Sequence, residues 1–122
     1  MTVLYVDDES IPRIIFDKIF GSKYTTLMAE SGPDALEKLA ALEDDLTVVI
    51  TDMRMPGMDG VDFLTEAHKK YNNLACFILT SMDEDEKIHQ AVKDNLIEKV
   101  FHKPLNASEV EAAIEVAVSR VA

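Results

Sequence analysis

The chain has 122 residues, 48% of them apolar and 29% charged, with 12 Lys and Arg set against 23 Asp and Glu for a formal net charge of −11. That size and balance suit a single globular domain with an ordinary core, and they argue against nucleic-acid binding, which needs clustered basic residues to neutralise phosphates. A lone cysteine, Cys76, excludes an intrachain disulfide or a cysteine-built metal site; no apolar run approaches a membrane span, and Met1 leads into strand-like residues rather than a signal peptide, so a reducing cytoplasm is the expected home.

Short β-branched runs alternate with segments whose apolar residues fall at helical spacing. The first run, residues 2–6 (TVLYV), ends in Asp7, Asp8 and Glu9, and a stripe of Ile11, Ile14, Ile15 and Ile19 follows, with Pro12 suited to a first helical turn. The second run, residues 24–28, ends near Glu30 and Ser31. Ser31 and Asp34 have the spacing of a helix cap with its reciprocating acid, ahead of Ala35, Leu36, Leu39 and Ala40. The third run, residues 47–51, delivers Asp52 to its tip, and the chain then breaks over Pro56, Gly57 and Gly60 before a stripe of Phe63, Leu64, Ala67 and Tyr71. The fourth run, residues 75–79, ends in Thr80 and Ser81. The acid run DEDE, residues 83–86, then opens a helix end where the macrodipole favours negative charge, and Ile88, Ala91, Val92 and Leu96 continue it. The fifth run, residues 99–102, is followed by Lys103 and Pro104. Asn106 and Glu109 repeat the cap spacing before Val110, Ala113, Ile114, Ala117, Val118 and Val121. Five strand–helix repeats predict a parallel sheet with right-handed crossovers and helices on both faces, one α/β domain over residues 1–122.

In open parallel sheets, sites form at the carboxyl ends of the strands. Those ends carry Asp7, Asp8, Asp52, Thr80 and Lys103, so three aspartates, a hydroxyl and a lysine should converge on one rim. Acids after strands commonly cap the next helix, and each alone would be read that way. As a set they repel one another and call for a cation, and oxygen-only ligands select a hard one such as Mg²⁺ or another divalent ion. A lysine and a hydroxyl opposite would bind the remaining oxygens of a phosphoryl group, which makes Asp52 a candidate nucleophile that takes phosphate as an acyl phosphate.

Four pieces in order, VLYVDDE, TDMRMPGMDG, FILTS and HKP, resemble the receiver domain of bacterial two-component response regulators along nearly the whole chain. The resemblance implies a flavodoxin-like (βα)5 fold with strand order 2-1-3-4-5, phosphorylated on aspartate by a histidine kinase or phosphotransfer protein and read by a downstream effector protein or effector domain. It implies Asp52 as phosphoacceptor, Asp7 and Asp8 as the acidic pair that holds Mg²⁺ with Asp52, and a backbone carbonyl from Arg54 on the same ion. Thr80 matches the switch hydroxyl, Lys103 the phosphate-binding lysine, and Lys103–Pro104 the cis peptide usual there. It leaves open a homodimer through the fourth helix, fifth strand and fifth helix, with no direct nucleic-acid or membrane partner. A chain of this extent fits both a stand-alone receiver and a receiver belonging to a longer regulator or hybrid kinase.

One position departs from the pattern. The family usually places an aromatic three residues before its lysine, where this chain has Val100. Phe101 follows it and should point to the opposite face as a core residue, unless a bulge shifts the register. Coupling between Thr80 and an aromatic ring is therefore not expected. Two alternatives were weighed: a haloacid-dehalogenase-like phosphatase that forms an aspartyl phosphate, disfavoured because its nucleophile belongs on the first strand, and a receiver-like module that binds partners without phosphorylation. His68, His89 and His102 share no metal-ligand spacing, Cys76 reads as a small core residue, and Met53, Met55 and Met58 read as packing around the loop, with a lesser reading of Met55 and Met58 as partner contacts. In the family, the positions of Arg54 and Met82 tune phosphate lifetime.

Overall fold

The structure is a computed structural model that describes residues 1–81 and 85–121. Five strands, β1 (Thr2–Val6), β2 (Thr25–Ala29), β3 (Thr47–Asp52), β4 (Leu74–Thr80) and β5 (Lys99–His102), alternate with five helices, α1 (Ser10–Phe20), α2 (Gly32–Ala40), α3 (Gly60–Lys70), α4 (Glu86–Lys93) and α5 (Ala107–Ser119). The strands form one parallel sheet in the order β2-β1-β3-β4-β5, the flavodoxin-like arrangement expected from the sequence. Predicted and observed strands agree closely, with β2 starting one residue later and β3 and β4 reaching one residue further, so that Asp52 and Thr80 are the last residues of their strands.

Strand alternation divides the core in two. Leu4, Val6, Val49, Cys76 and Ile78 face α2, α3 and α4, where they pack with Leu39, Phe63, Leu64 and Ile88. Val3, Tyr5, Val48, Ile50, Phe77, Leu79 and Phe101 face α1 and α5, where they meet Phe16, Phe20, Val110 and Ile114. Both faces of the central strands are covered, which is why β1 and β3 read as continuous apolar runs.

Most predicted helical stripes are buried, but that of α1 is not. Ile11 is 68% exposed and Ile14 55%, with Ile15 and Ile19 also open, whereas Phe16 and Phe20 are buried. At 100° per residue, Phe16 and Phe20 lie nearly opposite Ile11 and Ile14, so only one set can face the sheet. The aromatic pair takes it because its rings continue a stack that begins at Tyr5, 4.3 Å from Phe16, with Phe20 a further 4.6 Å on. Val92 and Val121 are likewise exposed rather than core, and Ile97 takes a buried place next to the end of α4.

The caps are local chemistry. The Ser31 and Asn106 side chains accept from the backbone N–H groups of Asp34 and Glu109, as their spacing suggests. The full reciprocal box forms elsewhere, at α3, where Asp59 accepts from the Asp62 N–H and Asp62 from the Asp59 N–H. Asp85 caps α4 by accepting from Lys87 and Ile88, while Met82, Asp83 and Glu84 lie outside the described residues. Lys87 on α4 bridges back to both Asp59 and Asp62.

Candidate functional site

In this strand order β1 and β3 are neighbours from which the chain winds in opposite directions, and their carboxyl ends bound the crevice where such sheets bind ligands. Asp7 follows β1 directly and Asp52 closes β3. One carboxylate oxygen from each of Asp7, Asp8 and Asp52 lies within 4.8 Å of the others. Asp7 and Asp52 are buried and Asp8 is exposed, so the cluster opens to solvent on one side.

Each member is held by its surroundings. The Asp7 carboxylate accepts from the Tyr5 hydroxyl at 3.0 Å and from the Glu9 N–H at 3.0 Å, and the Asp7 carbonyl accepts from the Arg13 guanidinium at 2.6 Å. Asp52 Oδ1 is 3.0 Å from the Lys103 ammonium. Lys103 is placed by its own N–H, which donates to the Thr80 carbonyl at 2.8 Å, and by the cis peptide that joins it to Pro104. Thr80 is buried at the end of β4, beside β3, with Leu79 opposite Asp52 in the register.

Burial and the Asp7 and Asp8 charges push the Asp52 carboxyl above its ordinary range, against the opposing pull of Lys103. Burial first, and then Asp7, also raise the Tyr5 hydroxyl, which therefore remains a proton donor. A partly buried group of three carboxylates with only oxygen donors has the chemistry of a hard divalent cation site, and its residues fit Mg²⁺.

The loop after β3 is shaped by two glycines. Gly57 has φ +80°, a conformation that strains any side chain. At Gly60, a Cβ would come 2.6 Å from the Asp52 carbonyl oxygen, so the absence of a side chain lets α3 start directly against the end of β3. Met53 and Met55 are buried in this loop and Met58 lies against Gly32, which makes them packing residues, while Arg54 is exposed.

The position of Val100 is as the sequence predicts. The β4–β5 register runs unbroken from Phe77 opposite Lys99 to Thr80 opposite His102, so no bulge shifts Phe101. Val100 packs half-buried on the α2–α3–α4 side, and Phe101 lies buried on the other, 5.4 Å from Phe77. Cys76 is buried with its thiol pushed up by that burial, and the exposed His68 ring lies 3.6 Å from its sulfur. His89 and His102 are exposed, the latter at the end of β5. The sequence motifs do not single out Tyr5 or Arg13; the one signal for Tyr5 is its place two residues before Asp7.

The doubly wound fold with carboxylates and a lysine gathered at the carboxyl edge of its sheet is the architecture of a receiver domain, and comparison with known proteins shows the family. The family model for the response regulator receiver domain matches residues 3–115, and the chain belongs to that family. It is 30% identical to sporulation initiation phosphotransferase F of Bacillus subtilis over 93% of this chain and 90% of that one. It is 31% identical to response regulator protein VraR of Staphylococcus saprophyticus over 92% of this chain but only 54% of that protein, so it spans about half of VraR's length. Among solved structures, the signal receiver domain of an HD domain-containing protein from Pseudomonas fluorescens superposes with a TM-score of 0.88 at 26% identity, covering 98% of this chain and 94% of that one. The family is one of signalling domains. Among the described residues, no helix is long and apolar enough to cross a membrane.

Proposed function

We propose that Asp52 is the phosphoacceptor of a two-component phosphorelay. A carboxylate oxygen of Asp52 attacks the phosphorus of a phosphohistidine on a histidine kinase or phosphotransfer protein. The bond from phosphorus to imidazole nitrogen breaks, its electron pair returns to the ring, and an acyl phosphate remains on Asp52. The observation that carries this reading is the convergence of Asp7, Asp8 and Asp52 within 4.8 Å, with the Lys103 ammonium 3.0 Å from Asp52.

The roles follow from placement. Asp7, Asp8 and Asp52, with the Arg54 carbonyl, would hold Mg²⁺, which when bound neutralises charge on the transferring group. Lys103 supplies a cation to the phosphoryl oxygens from the opposite side, and the Thr80 hydroxyl stands on the adjacent strand as the lever that senses them. Water later cleaves the acyl phosphate, with the same residues assisting. The domain thus promotes reactions on itself and acts as a signalling phosphoacceptor rather than as an enzyme on an external substrate. Phosphorylation shifts the population of states at the face formed by α4, β5 and α5, and so the affinity for a cytoplasmic effector protein or effector domain. That face is also where two copies would pair. With Val100 in place of a ring, Thr80 is the lever of that shift, without an aromatic partner at residue 100.

The test is intact-mass spectrometry after incubation with Mg²⁺ and acetyl phosphate. One added phosphoryl group is expected, absent in Asp52→Asn and absent with chelator. An addition that survives in Asp52→Asn, or none on folded wild-type protein with several small donors, overturns the assignment.

A further inference from the structure

Tyr5 is a large side chain with a polar tip, 2% exposed within the sheet, and its place follows from the strand. Asp7 follows β1 directly and lies two residues beyond Tyr5, and the Tyr5 hydroxyl reaches Asp7 Oδ2 at 3.0 Å. The ring is clamped. It stacks flat on Phe16, with centroids 4.3 Å apart and planes 8° from parallel, and Phe16 is backed by Phe20. A ring so fixed leaves the hydroxyl no freedom to follow the carboxylate; the carboxylate must follow it.

The other Asp7 oxygen accepts from the Glu9 N–H at 3.0 Å, so each oxygen has one donor and the plane of the carboxylate is set from both sides. An ionised carboxylate offers about four lone-pair sites, and two donors leave capacity on both oxygens for a cation. Asp7 is also fully buried, so no bulk water replaces a donor removed from it. Asp8, by contrast, is exposed, and Asp52 meets the cluster alongside Lys103.

We infer that Tyr5 is a positioning residue for the divalent cation, its hydroxyl fixing the Asp7 carboxylate in the orientation that places it within reach of Asp8 and Asp52. The inference rests on the proposal that these three acids hold Mg²⁺. Partners that orient metal ligands in this way typically carry about ten- to a hundredfold in affinity, so the loss of one hydrogen-bonding oxygen should be readable in binding alone.

The experiment is calorimetric titration of Mg²⁺ into metal-free wild type, Tyr5→Phe and Phe20→Leu, with melting temperatures measured in parallel. Tyr5→Phe keeps the stacked ring and removes only the hydroxyl. Phe20→Leu disturbs the same aromatic file and leaves the hydroxyl bond in place. Tyr5→Phe is expected to bind Mg²⁺ about tenfold more weakly than wild type. Phe20→Leu should stay within about twofold of wild type although it melts lower. Tyr5→Phe within twofold of wild type overturns the inference and leaves the cation site standing. Equal affinity losses in both variants, tracking stability, also overturn it, because the hydroxyl would then matter only through packing. A wild-type protein that takes up no Mg²⁺ overturns the inference and the cation site together.

Discussion

Burial, and with it the Asp7 and Asp8 charges, pushes the Asp52 carboxyl above its ordinary range against the pull of Lys103. Its folded-state ionisation therefore lies above that of the unfolded chain. Stability linked to its protonation is fully present below the unfolded carboxylate range, near pH 4, and is lost as pH rises through the folded value, so above that value the ionisation of Asp52 opposes folding. Asp52→Asn is accordingly expected to melt higher than wild type by a few degrees in chelator at pH 7–8, with the difference closing as pH falls towards 4. Differential scanning calorimetry across that range checks it, and a metal-free Asp52→Asn that melts lower than wild type at neutral pH contradicts the account. The Lys103 side chain that loses its partner is 32% exposed and remains solvated, so its orphaning costs little. The residue types of the site were legible in the sequence because strand ends are where such sheets collect chemistry. What the letters did not carry is that Asp7 is buried over the Tyr5 hydroxyl while Asp8 lies open, since burial is set by how whole elements pack around each side chain.

At the scale of elements, α1 gives the sharpest lesson. Its sequence carries two apolar faces, one of isoleucines and one of phenylalanines, and helical periodicity weights both. The sheet accepts one. Phe20→Ala is therefore expected to cost about 3–5 kcal/mol in urea unfolding, whereas Ile14→Ala should fall within about 0.5 kcal/mol of wild type despite removing a larger aliphatic group than many core changes do. Comparable losses from the two would mean that the isoleucine face is covered in solution. The helix caps sort the same way. Ser31 and Asn106 act as their spacing predicts, while the reciprocal box closes at Asp59 and Asp62, a pair that also receives Lys87 from another helix. In β5, simple alternation was enough: with no bulge in the register, Val100 and Phe101 had to take opposite faces.

For the whole molecule, a net charge of −11 and a cluster of three acids at the sheet's carboxyl edge make cation binding and folding one linked problem. Mg²⁺ that binds only the folded state stabilises it by mass action, about 2.7 kcal/mol at a hundredfold excess over the dissociation constant. Thermal unfolding with increasing MgCl₂ should therefore show a melting temperature that climbs with the logarithm of concentration, beyond any rise seen with NaCl at equal ionic strength, which reports screening of the net charge alone. Asp52→Asn, with one charge of the proposed cation site removed, should climb less steeply at the same concentrations. Identical responses to the two salts would place the effect in general electrostatics rather than at Asp7, Asp8 and Asp52.

The sequence by itself determined the order of strands and helices, the ends at which acids, hydroxyl and lysine appear, and the alternation that splits Val100 from Phe101, because these depend on periods of two and 3.6 residues and on turns written within a few positions of each other. Only the tertiary structure decided which face of α1 enters the core, that Tyr5 grips Asp7, that Lys103 reaches Asp52, and that Gly60 must lack a side chain against the end of β3. Those outcomes depend on close packing between segments far apart in the chain, where the volume and shape of one element select among the faces another offers, and no local pattern records that choice.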